Sequence, residues 1–445
     1  MRTETILKYA NDRVPRYTSY PTAPHFSPDI GSGAYAQWLQ ELDTGRPVSL
    51  YLHIPFCKTM CWYCGCHTKA TRRLDPVEAY AEVLLEEIDI VANHMPGRLK
   101  VSHVHWGGGS PTYLPADRFE ALMDRIRHRF DVLEDAEVAV EVDPRIFSAQ
   151  MATAFSNTGV NRASLGVQTF DPEVQKAVNR IQDRACVEAC VDLLRAAGVG
   201  GLNFDLLYGL PLQTEANCVA SVETALQFAP DRFSVFGYAH VPHMKPHQKM
   251  IREETLPGAA ERLAQADAIA QALVAAGHVQ IGLDHFAYRT DPLARALEAG
   301  SLRRNFQGYT TDTASAIIGI GASSIGWMPQ GYVQNTAQNH DWERRVRDGQ
   351  LPIARGYALT PEDRLRRDVI EELMCTLSVD PDAHAAGHGL PLAAPDLEAF
   401  EQAGIVRREG SRIHLDPDFR PLLRSVAAAF DTYLPTTTAR HAAAV

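Results

Sequence analysis

The sequence predicts an α/β protein: a partial, open (β/α)6 barrel of TIM-like type, preceded by an N-terminal arm and followed by a mainly helical, winged-helix-like C-terminal domain. Three observations carry that expectation. From Val48 onward, short apolar runs alternate with stretches of helical period, the signature of βα units around a parallel sheet. Six runs qualify as strands and no evident seventh or eighth follows, so the ring of a full barrel is expected to stay open. Past residue 358 the alternation stops, and helices with a single hairpin take over.

Strands are expected over 48–53, 101–106, 136–142, 162–167, 202–207 and 232–236, each a short run of mainly apolar residues. After Pro76, the residues Tyr80, Val83, Leu84, Ile88 and Val91 recur at three- and four-residue steps and define one apolar helix stripe. Similar stripes run through 119–130, 187–197 and 219–228. Thr360-Pro361-Glu362-Asp363 reads as a helix start, with a hydroxyl cap, proline at the first helical position and acids at the positive end. Within the tail, 405–408 and 412–415 flank Glu409-Gly410-Ser411 as a small hairpin. The resulting division is an arm at 1–47, the barrel at 48–290, a barrel extension on the substrate side at 291–358 and the helical domain at 359–445.

The 445 residues exceed the ~250 that one barrel takes, which leaves room for these appendages. Hydrophobic residues at 45% and charged residues at 22% are ordinary for a globular protein. No apolar run approaches the ~20 residues of a membrane-spanning helix, so no membrane partner is expected. A net charge of −11 argues against nucleic acid as a partner, and the winged tail lacks the basic excess of a DNA reader. An anionic substrate must therefore meet a local basic patch. Residues 1–19 are polar and charged, so no secretory leader is expected, and the expected setting is a cytoplasmic monomer.

Chemistry enters with four cysteines in one loop, Cys57-Lys-Thr-Met-Cys61-Trp-Tyr-Cys64-Gly-Cys66, directly after the first strand. The first three fit C-x3-C-x2-C, a spacing that gathers three thiolates around a [4Fe-4S] cube. Three protein ligands leave one iron to bind a further molecule, here the amino and carboxylate groups of S-adenosylmethionine (SAM). Structural zinc would need a second ligand pair of matching spacing, and none follows. Disulfides do not suit the scattered Cys186, Cys190, Cys218 and Cys375 of a chain expected in a reducing compartment.

Further polar residues fall where strands end, the face at which parallel βα proteins collect their chemistry. The run His105-Trp-Gly-Gly-Gly-Ser-Pro-Thr112 removes side chains where a ligand can lie against the main chain. No Gly-Lys-Ser/Thr follows, so it is not a P-loop; alone it fits a tight turn equally well, but beside an open iron its carbonyls suit the ammonium group of SAM. Glu141, Gln168, Arg180 and Asp205 are groups that hold a nucleoside, since carboxylates accept from ribose hydroxyls and arginine forks a carboxylate. For Arg180 a helix-end ion pair is the plain alternative. Gly319-Ile-Gly321-Ala-Ser-Ser-Ile325-Gly326 narrowly misses a dinucleotide fingerprint and fits a closely packed turn as well.

Tyr51-Leu-His-Ile-Pro-Phe-Cys57, the cysteine loop, the 105–112 run, Glu141-Val-Asp-Pro144, Asn203-Phe-Asp205-Leu-Leu-Tyr-Gly209, Arg304-Asn-Phe-Gln-Gly-Tyr-Thr-Thr311 and Phe430-Asp-Thr-Tyr-Leu434 resemble the oxygen-independent coproporphyrinogen III oxidases of the radical SAM superfamily. The resemblance spans nearly the whole chain and includes Arg16-Tyr-Thr-Ser-Tyr-Pro-Thr-Ala23, which generic radical SAM enzymes lack. It implies one [4Fe-4S] cluster on Cys57, Cys61 and Cys64, with one or two SAM molecules. It places Tyr51, Tyr63, Gly108, Gly109, Ser110, Glu141, Gln168, Arg180, Asp205, Ala239 and Ile325 around SAM. Cys66 is implied to lie beside the cluster without ligating it, and Cys66 and Tyr51 are the catalytic candidates. Ser110 and Tyr63 stand where the family more often has Thr and Phe, changes that keep the hydroxyl and the ring.

The implied reaction is oxidative decarboxylation of two propionates of coproporphyrinogen III to vinyl groups, giving protoporphyrinogen IX in haem biosynthesis. A 5′-deoxyadenosyl radical from SAM takes hydrogen from the propionate carbon next to the pyrrole, and an electron donor such as a flavodoxin or ferredoxin is the implied partner. Arg16, Arg303 and Arg304 are the candidates for the basic patch that four propionates require, against a plain surface role. Tyr17, Tyr20, Phe306 and Tyr309 either pack on the macrocycle or serve as core, and His53, His105, His240 and His285 are expected to be structural. Two alternatives of the same family stay open, a radical SAM haem chaperone and an anaerobic haem-modifying enzyme. The chaperones typically lack the cysteine at 66 and the 16–23 and 307–311 segments, all present here.

Overall fold

The computed structural model describes residues 2–10 and 12–434; positions 1 and 11 of the expected arm and 435–445 of the expected C-terminal domain lie outside the described residues. The six expected strands form as β1 (Val48–Ile54), β2 (Lys100–Gly108), β3 (Asp131–Val142), β4 (Arg162–Gln168), β5 (Gly201–Tyr208) and β6 (Arg232–Gly237). They pair in that order, all parallel. Such strands are covered on both faces, so they read as nearly continuous apolar runs; in β1 only Tyr51 is less than fully buried. Leu50, Leu52 and Ile54 share one core with Trp106, Phe119, Phe155 and Phe204.

A seventh parallel strand, β7 (Ile317–Ile320), lies on the other side of β1, so the expected count is one short. It escapes the βα pattern because it is four residues long and follows a short hairpin, Arg303–Asn305 with Gly308–Thr310, instead of a crossover helix. Antiparallel strands extend both edges of the sheet, and among the described residues no pairing joins the two ends. The barrel is open.

Helices Asp75–Asn93, Ala116–Arg129, Arg184–Ala196 and Glu215–Leu226 follow the predicted stripes. Asp75–Asn93 buries Tyr80, Val83, Leu84, Ile88 and Val91, and with them Glu87. The Glu87 carboxylate accepts hydrogen bonds from the Gly321 amide (2.7 Å), Trp342 Nε1 (2.9 Å) and Asn335 Nδ2 (2.6 Å). Burial pushes this carboxyl up to about 7, against the opposing effect of those three donors. The near-miss dinucleotide run is thus a closely packed turn. Gly321 has φ of 98°, and a Cβ there would stand 2.6 Å from the His53 carbonyl oxygen.

Helix Pro361–Thr376 starts as its sequence predicts, with Thr360 Oγ1 accepting from the Asp363 amide (3.1 Å) and the Asp363 carboxylate accepting from the Thr360 amide (2.9 Å). Val406–Glu409 and Arg412–Leu415 form the hairpin, joined by Ser378–Val379 as a third strand. This domain has its own core, in which Ile6, Tyr17 and Tyr20 of the arm pack with Leu365, Leu373 and Phe430. The Tyr17 hydroxyl donates to Asp431 (3.0 Å). Tyr17 and Tyr20 are therefore core, and the arm shares one interior with the helices after Thr360.

Candidate active site

The cysteine loop leaves β1 and lies over the C-terminal ends of the neighbouring strands. Trp62 donates its amide to the Val178 carbonyl (2.9 Å), and Asn179 Nδ2 donates to the Met60 carbonyl (2.8 Å). From another side Lys245 Nζ reaches the Cys66 carbonyl (2.8 Å), His247 Nε2 the Cys64 carbonyl (2.8 Å) and Gln248 Nε2 the Tyr63 carbonyl (3.0 Å). So held, Cys57, Cys61, Cys64 and Cys66 line one cavity of about 160 Å³ together with Tyr63, Gly108, Gly109, Glu141, Gln168, Arg180 and Asp205.

Arg145 Nη2 and Arg180 Nη1 both donate to Cys61 Sγ, at 3.5 and 3.4 Å. Asp143 holds the two guanidinium groups, at 2.7 Å from Arg145 and 3.5 Å from Arg180. Burial would raise the Asp143 carboxyl, but Arg180 and Arg145 outweigh it and hold it down at about 2. Two cations and one anion leave net positive charge facing the sulfur, which complements a thiolate. Cys57 Sγ lies 3.2 Å from Thr68 Oγ1, and burial pushes its thiol up to about 12. A hydrogen bond between Cys64 and Cys66 pulls Cys64 down and pushes Cys66 up. Among the described residues no three of His, Cys, Asp or Glu converge closely enough for a single metal ion. Three cysteines around a shared cavity fit a cube, in which each thiolate meets its own iron.

The end of β2 leaves no room for side chains. A Cβ on Gly107 would stand 2.8 Å from Glu141 Oε1, and one on Gly109 2.5 Å from Thr68 Oγ1. The Gly108 amide donates to Glu141 Oε2 (3.0 Å), which fixes that carboxylate at the cavity wall. Asp205 accepts from Ser164 Oγ (3.1 Å) and Asn203 Nδ2 (2.8 Å), while burial and then the charge of Glu141 push it up to about 6. Ser164 and Asn203 were not among the sequence candidates. Alternation along β4 and β5 sets Ser164 on the face of Gly166 and Gln168, and Asn203 on that of Asp205, a signal available in the sequence. Gln168 ends β4 at φ of 68°, a left-handed conformation uncommon away from glycine.

Not every candidate reaches this cavity. Tyr51 lies beneath it, its hydroxyl 2.9 Å from His53 Nδ1 and its ring against Gly107, and burial drives its phenol far up. Ser110 is buried behind the glycines, its amide on the Phe56 carbonyl (2.8 Å). Ile325 packs in a separate cluster with Phe26 and Tyr332, and Phe306 joins the same cluster. The cavity continues into a barrel interior of about 620 Å³, which shares Tyr63, Cys66, Glu141, Gln168 and Asp205 and adds Ala239, Arg16 and Tyr309. Arg304 Nη2 donates to the Arg16 carbonyl (3.1 Å), so those two candidates meet. Arg303 turns away, with Nη1 4.0 Å from Glu371. His53, His240 and His285 each bridge neighbours, His240 to the Tyr238 hydroxyl (2.7 Å) and His285 to Asp284 (2.7 Å), whereas His105 stands 3.6 Å from Glu141 at the barrel cavity.

The family model for the radical SAM superfamily matches residues 51–225, the segment that carries the cysteine loop and the first five strands. The chain belongs to that superfamily. It is 52% identical over 450 residues to the oxygen-independent coproporphyrinogen III oxidase of Bradyrhizobium diazoefficiens, covering 100% of both chains. Its identity to the corresponding protein of Paracoccus denitrificans is 41% over 439 residues, with 97% of each covered. The solved coproporphyrinogen III oxidase of Escherichia coli, a radical SAM enzyme, superposes with a TM-score of 0.91 at 37% identity, covering 97% of this chain and 99% of that one. Within the superfamily, the chain belongs to the oxygen-independent coproporphyrinogen III oxidase family. Among the described residues no helix is long and apolar enough to cross a membrane.

Proposed function

We propose that this protein converts two propionate side chains of coproporphyrinogen III into vinyl groups without oxygen, giving protoporphyrinogen IX. The observation that carries this is the continuity of the cysteine-lined cavity with the barrel interior through Tyr63, Glu141 and Asp205, which sets a substrate lodged in the barrel beside the cluster site. Bound there, a [4Fe-4S] cluster and SAM supply an electron and a carbon-centred radical able to take hydrogen from an alkyl carbon.

The chain's own residues bind, orient and exclude water. Cys57, Cys61 and Cys64 would hold the cluster, with Arg145 and Arg180 donating to the Cys61 sulfur and Asp143 keeping both guanidinium groups in place. Glu141 and Asp205 would accept from the cofactor's ammonium and hydroxyl groups, Gln168, Ala239 and Tyr63 would flank its nucleoside, and Gly108 and Gly109 give the room for close approach. Tyr51 supports this floor from below, and Cys66 sits at the cavity wall beside the three ligands. Each propionate loses a hydrogen atom from the carbon next to the pyrrole; carbon dioxide and one electron then leave as the double bond forms, the electron passing to an acceptor outside the chain. Arg16 and Arg304 stand on the substrate side. The residues at 48–290 are the catalytic barrel and 291–358 its substrate-side extension, with 1–47 as an N-terminal arm and 359–445 as a mainly helical C-terminal domain. A flavodoxin- or ferredoxin-type carrier supplies the reducing electron to a cytoplasmic monomer.

Protein reconstituted with iron and sulfide without oxygen, then given SAM, a strong reductant and coproporphyrinogen III, is expected to release 5′-deoxyadenosine, carbon dioxide and a divinyl product. Haem binding or haem breakdown with no vinyl formation would overturn this assignment in favour of the chaperone or haem-modifying alternatives.

A further inference from the structure

Beyond the barrel interior lies a larger cavity of about 690 Å³, between β6, helix Ala259–Ala275, the arm and the segments Pro417–Leu422 and Leu423–Ala427. It shares Arg16, Phe236, Tyr238 and Ala239 with the barrel cavity, so the two are continuous. Its lining is unusual for a chain of net charge −11: Arg2, Arg13, Arg16, Arg262, Arg304, Arg420 and Arg424 face it, against Asp267 and Asp284. Arg2 is taken up by Asp267 (2.6 Å), which leaves Asp284, hydrogen-bonded to His285, as the carboxylate of the lining that faces Arg16, Arg304 and Arg424.

The guanidinium groups are fixed mainly by backbone carbonyls, which orient a cation without cancelling its charge. Arg262 Nη1 donates to the Tyr238 carbonyl (2.8 Å), Arg424 Nη1 to that of Val14 (3.2 Å) and Arg420 to that of Gly282. Arg304 donates Nη2 to the Arg16 carbonyl and lies 4.4 Å over the Tyr309 ring; its Nε and Nη1 are buried with no hydrogen-bond partner among the described residues. Burial pulls Arg420 down to about 10, and burial with the repulsion of Arg16 does the same to Arg424. Crowded, partly desolvated cations are costly unless an anion joins them.

Resting on the activity proposed above, we infer that this cavity binds the propionate carboxylates that are not under reaction, with Arg262, Arg304 and Arg420 as their anchors. Arginine suits the task because its planar fork meets a carboxylate with two parallel hydrogen bonds. The macrocycle then spans the junction at Phe236, Tyr238 and Ala239, with one propionate directed down the barrel toward the cysteine loop. Since the two reacting propionates take turns, the cavity holds a different set of carboxylates in each round.

The test uses the full-length, cluster-loaded enzyme and coproporphyrin III, the oxidised ring that keeps all four propionates, beside its uncharged tetramethyl ester. Fluorescence titration is expected to show binding of the acid, weakening as salt rises, and at least tenfold weaker binding of the ester. Arg420→Gln and Arg262→Gln are each expected to weaken the acid at least tenfold, with Arg420→Lys in between, in preparations of equal iron and sulfide content. Equal affinity for acid and ester would overturn the inference, and so would unchanged affinity in both glutamine variants at wild-type thermal stability. If the wild type binds the acid through these arginines yet forms no vinyl product, the anion site stands and the proposed activity falls. If the variants lose vinyl formation with affinity intact, the activity stands and the anion site falls.

Discussion

Asp205 offers a test in which stability and cofactor binding move in opposite directions. Its carboxyl is held at about 6 against an ordinary 3.8, because burial and the nearby Glu141 both disfavour its charge. That difference is worth ~3 kcal/mol. The folded state therefore keeps a proton that the unfolded chain has lost between about pH 4 and pH 6, so stability falls as pH rises through that window and stays reduced above it. Asp205→Asn removes the penalty while keeping acceptors for Ser164 and Asn203. At ~2.1 cal/mol/K per residue, 445 residues have an unfolding entropy near 0.9 kcal/mol/K, so the variant's Tm is expected to rise by about 3 °C at pH 7.5 but by only about 1 °C at pH 4.5, where about a third of the penalty is left. Calorimetry of cluster-free protein measures this. The same variant loses a charged acceptor for SAM, at ~1.5–3 kcal/mol, and its KM for SAM is expected to rise ten- to a hundredfold. Wild-type affinity for SAM should itself weaken as pH falls below 6, and the variant's should not. A Tm difference independent of pH, or an unchanged KM for SAM, would refute the account of both carboxylates.

Cys57→Ala, Cys61→Ala and Cys64→Ala are each expected to drop bound iron and acid-labile sulfide close to background, whereas Cys66→Ala retains wild-type loading; colorimetric iron and sulfide assays decide. Arg180→Gln removes a donor to Cys61 and one of the two cations on Asp143, so KM for SAM is expected to rise at least tenfold with iron content preserved, measured by steady-state kinetics alongside metal analysis. Glu87→Ala strips three buried donors of their acceptor at ~1–3 kcal/mol each, and Tm is expected to fall by ~3–9 °C, with a smaller fall for Glu87→Gln.

Six strands were legible because each is a run of five or more residues between turn signals and is followed by a helical stripe or an antiparallel turn. The start of helix Pro361–Thr376 was equally plain, since its cap is written in four consecutive residues. Strand β7 was hidden by its length and by the hairpin before it. Glu87 stayed hidden in the apolar stripe of its helix, because only the fold brings Asn335, Trp342 and Gly321 around it. At the site, the cysteine spacing is local and could be read directly, whereas Arg262, Arg420 and Arg424 occupy polar helical positions that look alike whether they face solvent or a cavity. Arg303 and Arg304 show the opposite case. Neighbours on a strand point to opposite faces, and of the two it is Arg304 that lines the arginine-rich cavity.

Arg13 and Arg16 leave the ribosome about 400 residues ahead of Arg420 and Arg424, yet all four line one cavity. At ~5–20 residues per second, translation separates them by roughly 20–80 s. During that interval Ile6, Tyr17 and Tyr20 lack most of the core they settle on, because apart from Leu263 and Leu283 their partners in it lie between Leu365 and Tyr433. A nascent or prematurely terminated chain can complete the strands over the cysteine loop, and with them a place for iron and sulfide, long before it can grip a porphyrinogen. Synthesis order thus keeps a half-made polypeptide from engaging the pigment precursor until Arg420 and Arg424 are in place.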